Sequence, residues 1–157
     1  MKKILIALLF SFAIVSITSA QTAAKSVYVE LGGPGVASFN FDTRFSKTEN
    51  GLGGRIGIGG FKVPDAGLLT VPIGLNYLLG KDNKNYFEIG AGFTYVHATD
   101  NSFDEKSTFN GTFGHLTFGY RLQPVNGGFT FRAAIVPIFG QGGFIPYYAG
   151  ISFGYKF

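Results

Sequence analysis

The chain has 157 residues, is rich in glycine (24) and phenylalanine (18), carries only 14% charged residues, and contains neither cysteine nor tryptophan. Thirteen basic residues stand against nine acidic ones, and loss of Lys2 and Lys3 with a leader would leave eleven against nine. So small an excess argues against a nucleic-acid partner or a strongly anionic surface, and an exported chain without disulfides must close its fold through the backbone.

Lys2 and Lys3 form a basic start, Ile4 to Ile17 an apolar core, and Thr18-Ser19-Ala20 a small-residue cleavage site before Gln21. This pattern predicts a cleaved signal peptide over 1–20 and a single domain over 21–157. The apolar run is shorter than the roughly 20 residues a spanning helix needs. No other stretch is uniformly apolar for half that length, so no transmembrane helix is expected in the mature chain.

From Ser26 onward the sequence alternates with period two, the mark of strands with two unlike faces. Val27, Val29 and Leu31 share one face of the first segment, with Tyr28 and Glu30 on the other. After Gly32-Gly-Pro-Gly35, Phe39, Phe41 and Phe45 alternate with Ser38, Asn40, Asp42 and Arg44. Past the turn Lys47–Gly51, Leu52, Ile56 and Ile58 oppose Arg55, Gly57 and Gly59. Beyond Lys62–Gly67, Val71, Ile73, Leu75 and Tyr77 oppose Pro72, Gly74 and Asn76.

The polar turn Gly80–Asn85 precedes Phe87, Ile89, Ala91, Phe93 and Tyr95, which alternate with Glu88, Gly90, Gly92 and Thr94. The longest connection is expected from about His97 to Asn110. Leu116, Phe118 and Tyr120 then oppose His115, Thr117, Gly119 and Arg121, and Gln123–Gly128 turns the chain. Phe129, Phe131, Ala133 and Ile135 oppose Thr130, Arg132 and Ala134, and Gly140–Gly143 leads to the last strand. There Ala149, Ile151, Phe153, Tyr155 and Phe157 share one face, and Gly150, Ser152, Gly154 and Lys156 the other.

Eight such strands predict an all-β fold, an eight-stranded antiparallel up-and-down transmembrane β-barrel, with the apolar face toward lipid and the small, polar face inward. All four arginines (Arg44, Arg55, Arg121, Arg132) have inward parity, as a lipid-facing surface demands. With both termini periplasmic, the short polar turns fall on the periplasmic side and the longest loop outside. Pro34, Pro64, Pro72, Pro137 and Pro146 then lie near the extracellular rim, where a lost ladder hydrogen bond is tolerable. The C-terminal strand, with Ile151, Phe153, Tyr155 and Phe157, resembles the sorting signal of bacterial outer-membrane barrels, which implies recognition by the barrel-assembly machinery.

Tyr28–Gly33, Phe39–Phe45, Val71–Tyr77, Glu88–Phe93, Gly119–Arg121 and Phe131-Arg132 together resemble a group of small outer-membrane barrels of the Bacteroidota type. The resemblance covers the mature chain and implies a fold and a location, the bacterial outer membrane, without an activity. In architecture the chain also resembles the OmpX/OmpA transmembrane class.

Buried charges need partners. Glu30, Asp42 and Glu88 are therefore expected to pair inside the lumen with Arg44, Arg55, Arg121, Arg132 and Lys156 as a structural plug, with the inward glycines leaving room for the long side chains. A conducting, porin-like channel is the weaker reading. The five-to-three excess of positive charge is expected to be offset in part by the C-terminal carboxylate near Lys156, with an anionic ligand as the weaker alternative. His115 has inward parity and reads as a hydrogen-bonded core histidine, since no nucleophile and acid stand beside it for a catalytic triad. Asp100, Asp104 and Glu105 read as a solvated acidic loop, because their spacing fits no Ca²⁺ loop. Gly53-Gly54 and Gly59-Gly60 lack the following helix of a nucleotide motif.

These features predict a monomeric envelope protein with structural or interaction duties carried by external loops. It is expected to have no catalytic residues, no cofactor and no metal, and to contact outer-membrane lipid and lipopolysaccharide. A lipid-acting enzyme or lipid binder (a lipid A acyltransferase or deacylase, with lateral access at Pro72 and Pro137) and a soluble lipocalin-like carrier are the alternatives. The carrier would need the opposite assignment of faces.

Overall fold

The computed structural model describes residues 23–100 and 107–157; the expected leader and cleavage site lie outside them. Ten strand segments follow in order: β1 (Lys25–Gly32), β2 (Ala37–Arg44), β3 (Gly51–Lys62), β4 (Ala66–Leu79), β5 (Asn85–Asp100), β6 (Ser107–Leu122), β7 (Gly128–Ile135), β8 (Ile138–Gly140), β9 (Gly143–Ile145) and β10 (Ala149–Lys156). All neighbours are antiparallel, β1 pairs with β10, and β5 pairs with β6, so the sheet closes on itself. β7 with β8 and β9 with β10 are interrupted halves of single staves, which makes an eight-stranded barrel. The interruptions fall at Val136-Pro137 and Pro146–Tyr148, where the proline nitrogens cannot donate. Pro72 likewise leaves a gap in the β3–β4 ladder.

The pairing register sets the stagger. From Glu30 the ladder runs one way through Ser38, Gly59, Thr70 and Val96 to Gly111. The other way it runs through Ser152 and Arg132 to Arg121. The two routes meet on β6 ten residues apart, a shear that tilts eight strands by about 40° and leaves an interior that side chains can fill.

The faces follow the alternation. Tyr28, Glu30, Asn40, Asp42, Arg44, Arg55, Asn76, Glu88, Arg121, Arg132 and Lys156 are buried, while Val29, Phe39, Ile56, Leu75, Phe93 and Ile151 are exposed. A water-soluble sheet would do the reverse. The outer face near the closing seam is cemented by Phe153, whose ring lies 5.4 Å from Phe131 and 6.4 Å from Phe129. Phe153 and Phe131 are directly opposite each other, the position at which cross-strand aromatic pairs contribute most.

Two expectations are corrected. The connection from His97 to Asn110 is mostly strand: β5 and β6 continue as a hairpin to Asp100 and Ser107, with His97 opposite Asn110. Tyr95, Val96 and Thr99 keep strong strand propensity, with Thr99 opposite Thr108 and Ala98 opposite Phe109. The apolar-out alternation fades there, so the extension read as loop. Asp100 ends β5, and Asp104 and Glu105 lie outside the described residues. Secondly, Gly140–Gly143 is not a lead-in but the tip of a small β8–β9 hairpin.

The end of the barrel opposite the chain termini is therefore uneven. The β5–β6 and β8–β9 hairpins rise above a low rim where β1 turns into β2. That turn is tight: Val36 has φ 65° and accepts from the Gly32 amide at 2.7 Å. A β-branched residue is strained in the left-handed region, and here it directs Gly33, Pro34 and Gly35, all buried, into the barrel mouth.

Candidate functional site

The inward side chains toward the terminal end form one connected network. Asp42 is its centre. Its Oδ1 accepts from Nη2 of Arg44 and Nη2 of Arg121, both at 2.8 Å, and its Oδ2 from Nη1 of Arg121 at 3.2 Å and from the Asn76 amide. Arg44 also donates to the Asn76 side-chain oxygen and, at 3.0 Å, to the Gly51 carbonyl. Arg121 donates to the Ser26 hydroxyl at 3.2 Å and lies 3.6 Å from Glu88. Glu88 receives a bidentate fork from Arg132, through Nε at 2.9 Å and through Nη2. Such planar pairing is the strongest an arginine makes.

One step further from the termini, Arg55 holds Glu30 at 2.7 and 3.3 Å and donates to Asn40 at 3.0 Å, and the Ser152 hydroxyl donates to Glu30 at 3.4 Å. The Tyr28 ring lies between the two groups, with the guanidinium carbons of Arg132 and Arg55 at 4.7 and 5.7 Å from its centroid. Desolvated cation–π contacts of this kind are worth about 2 kcal/mol.

Both ends of this network are covered. On the far side, the Thr94 hydroxyl donates to the Pro34 carbonyl at 3.0 Å and the Thr70 hydroxyl to the Gly35 carbonyl at 2.8 Å, which pins the β1–β2 turn into the mouth. Gly33 (φ +63°) sits so close to Glu30 that a Cβ there would meet its carboxylate at 2.7–3.0 Å. On the terminal side, Lys156 bonds Glu49 and donates to the carbonyls of Pro124 (3.1 Å) and Val125 (2.7 Å), and the Gln123 amide donates to Glu49 at 3.0 Å.

The eight charged residues expected in the lumen thus all point inward, and seven of them join one chain of contacts. Lys156 stands apart, and its partner is Glu49 of the β2–β3 turn, not one of the three strand carboxylates. Sequence reasoning missed Glu49 because a turn residue has no parity to reveal that it folds under the barrel. Tyr28, Asn40 and Asn76 had inward parity, and only their role as bridges was hidden. Glu49→Gln is expected to lower the stability of the folded barrel by about 1–3 kcal/mol, the range for losing a charged hydrogen bond to a buried partner. The urea midpoint in detergent micelles measures it, with Lys47→Gln on the exposed side of the same turn as the unchanged control.

His115 is buried, and its Nδ1 makes no hydrogen bond, which departs from the satisfied core histidine read from the sequence. His97 faces outward, 2.7 Å from the Asn110 side chain. Among the described residues no three His, Cys, Asp or Glu side chains gather as a metal site.

A closed antiparallel barrel with an apolar exterior and an ion-paired interior is a fold shared with the small eight-stranded barrels of outer membranes. No protein-family model matches the chain, and neither does any curated protein sequence. Among solved structures it is similar to the N-terminal β-barrel domain of Pseudomonas aeruginosa OprF, with a TM-score of 0.64 at 13% identity, covering 86% of this chain and 96% of that one. It is also similar to Ail, the attachment invasion locus protein of Yersinia pestis (TM-score 0.56, 14% identity, 86% and 97% covered), and to Neisserial surface protein A (TM-score 0.51, 13% identity, 85% and 92% covered). The likeness is one of fold.

Proposed function

We propose that this chain is an integral protein of the bacterial outer membrane, exported by a cleaved leader, with a plugged lumen and a structural or interaction role exercised at its external rim. The observation that carries the reading is the segregation of the faces: apolar and aromatic side chains cover the outside of a closed barrel, and all four arginines are buried and paired within it. In this reading the end bearing the termini is periplasmic, and the chain belongs with the small Bacteroidota-type barrels its motifs resemble. The β8–β9 hairpin presents Phe139 and Phe144 to the outside, and Tyr147 just beyond it is 90% exposed. Exposed aromatics in numbers mark a contact surface rather than an inert cap.

A single cysteine tests location and orientation, since the chain has none of its own. Gly142→Cys at the hairpin tip is expected to react with a membrane-impermeant maleimide on intact cells, and Asn83→Cys in the β4–β5 turn only after lysis. Equal labelling of both on intact cells overturns the proposed orientation, and labelling of neither removes the external rim. The plug is tested separately: the purified protein in a planar bilayer is expected to show no steady conductance, and a stable open level contradicts it.

A lipid-binding role has one observation in its favour. Above the network the interior turns apolar, and a cavity of about 220 Å³ is lined by Val96, Phe109, Phe113, Ile138 and Ile145 between the two raised hairpins. Altered lipid A in cells with and without the gene separates a lipid-acting enzyme from a binder or a structural barrel.

A further inference from the structure

The ion pairs of the interior do not balance. Lys156 with Glu49 and Arg55 with Glu30 form two neutral pairs. The remaining cluster holds three guanidiniums, Arg44, Arg121 and Arg132, against two carboxylates, Asp42 and Glu88. Among the described residues the buried cluster therefore carries one uncompensated positive charge. Arginine cannot shed a proton to relieve it, and an unpaired buried charge is costly enough that a counter-charge is the ordinary remedy. The β1–β2 turn covers the network on one side, and Glu49 with Lys156 on the other.

The same interior holds donors without acceptors. Arg132 uses Nε and Nη2 on Glu88 while its Nη1 makes no hydrogen bond, and the Tyr28 hydroxyl and the Nε of Arg55 make none either. All three residues are at least nine-tenths buried, and both guanidiniums flank the same Tyr28 ring. We propose that the lumen binds one small monovalent anion, a halide, beside Tyr28, taking hydrogen bonds from Arg132 Nη1 and the Tyr28 hydroxyl and neutralising the excess guanidinium. The side chains around it are closely packed, so the counter-charge proposed is the smallest kind, a monatomic ion. Such an ion makes the barrel's stability depend on the anion present when the lumen closes.

The test refolds the full mature chain in detergent micelles in sodium bromide, sodium chloride or sodium gluconate at equal ionic strength. Crystals grown from bromide are expected to show an anomalous peak in contact with Arg132 and Tyr28. The temperature at which the unheated SDS-resistant band is lost is expected to rise saturably with halide and not with gluconate. Tyr28→Phe keeps the ring and removes one donor, so it should need several-fold more halide for the same rise. Arg44→Gln brings the cluster to two against two and should abolish the dependence. Equal midpoints in halide and gluconate with no bromide peak overturn the proposal. So does a peak that neither substitution alters and that brings no stabilisation, the result for an adventitious ion only.

Discussion

Asp42→Ala is expected to destabilise the folded barrel by about 3–5 kcal/mol, the cost of breaking a buried ion pair by removing one partner. One carboxylate here serves two arginines: Arg44 and Arg121 both reach Oδ1 at 2.8 Å. Without it, Arg44 retains only the Asn76 and Gly51 oxygens, and Arg121 retains Ser26 and a more distant Glu88 at 3.6 Å. Neither can lose its charge, and both are 1–2% exposed. Urea unfolding in micelles, followed by the shift between compact and extended bands on unheated gels, measures the loss. Combining Asp42→Ala with Arg44→Met removes one cation with the anion and should recover most of the stability. A loss below about 1 kcal/mol for Asp42→Ala, the surface ion-pair range, would mean that the interior is wet and screened, and the plug reading would fall with it.

Leu75→Arg is the second large effect, expected to cost about 2–4 kcal/mol in a lipid bilayer if Leu75 lies near mid-depth. Leu75 is 54% exposed on β4, between the buried Asn76 and the inward Gly74. Lipid, not protein, is the environment predicted for its side chain, and a guanidinium there would have to reach across apolar neighbours to water. The measurement is the same urea titration with the protein folded into vesicles. Val125→Arg in the β6–β7 turn serves as the neutral comparison, being exposed beyond the strands. If Leu75→Arg folds into vesicles as readily as the parent chain, the outer face is not a lipid face, and the soluble carrier becomes the reading to pursue.

These expectations differ in how much of their basis was visible before folding. The outward, apolar face of Leu75 follows from parity alone, because Val71, Ile73, Leu75 and Tyr77 alternate with small or polar residues along β4. Arg44 beside Asp42 was equally legible as an inward pair two residues apart on one strand. The second claim on Asp42 was not. Arg121 stands 79 positions later, and only the register that brings β6 around to β1 and β2 aims it at the same carboxylate.

What the amino-acid order determined by itself is local and periodic: the eight alternating segments, which face of each is apolar, and that every arginine turns inward. Side chains in an extended chain must alternate, and a membrane tolerates only one assignment of the two faces. What the tertiary structure decided is everything that depends on stagger and on segments without parity. The ten-residue shear chose which inward charges meet, the β1–β2 turn folded into the mouth, and Glu49 swung under the barrel to Lys156. The raised hairpins extended beyond the point where the apolar-out alternation holds. Those outcomes rest on distances between residues far apart in the chain, which closure of the sheet sets and no single stretch of sequence encodes.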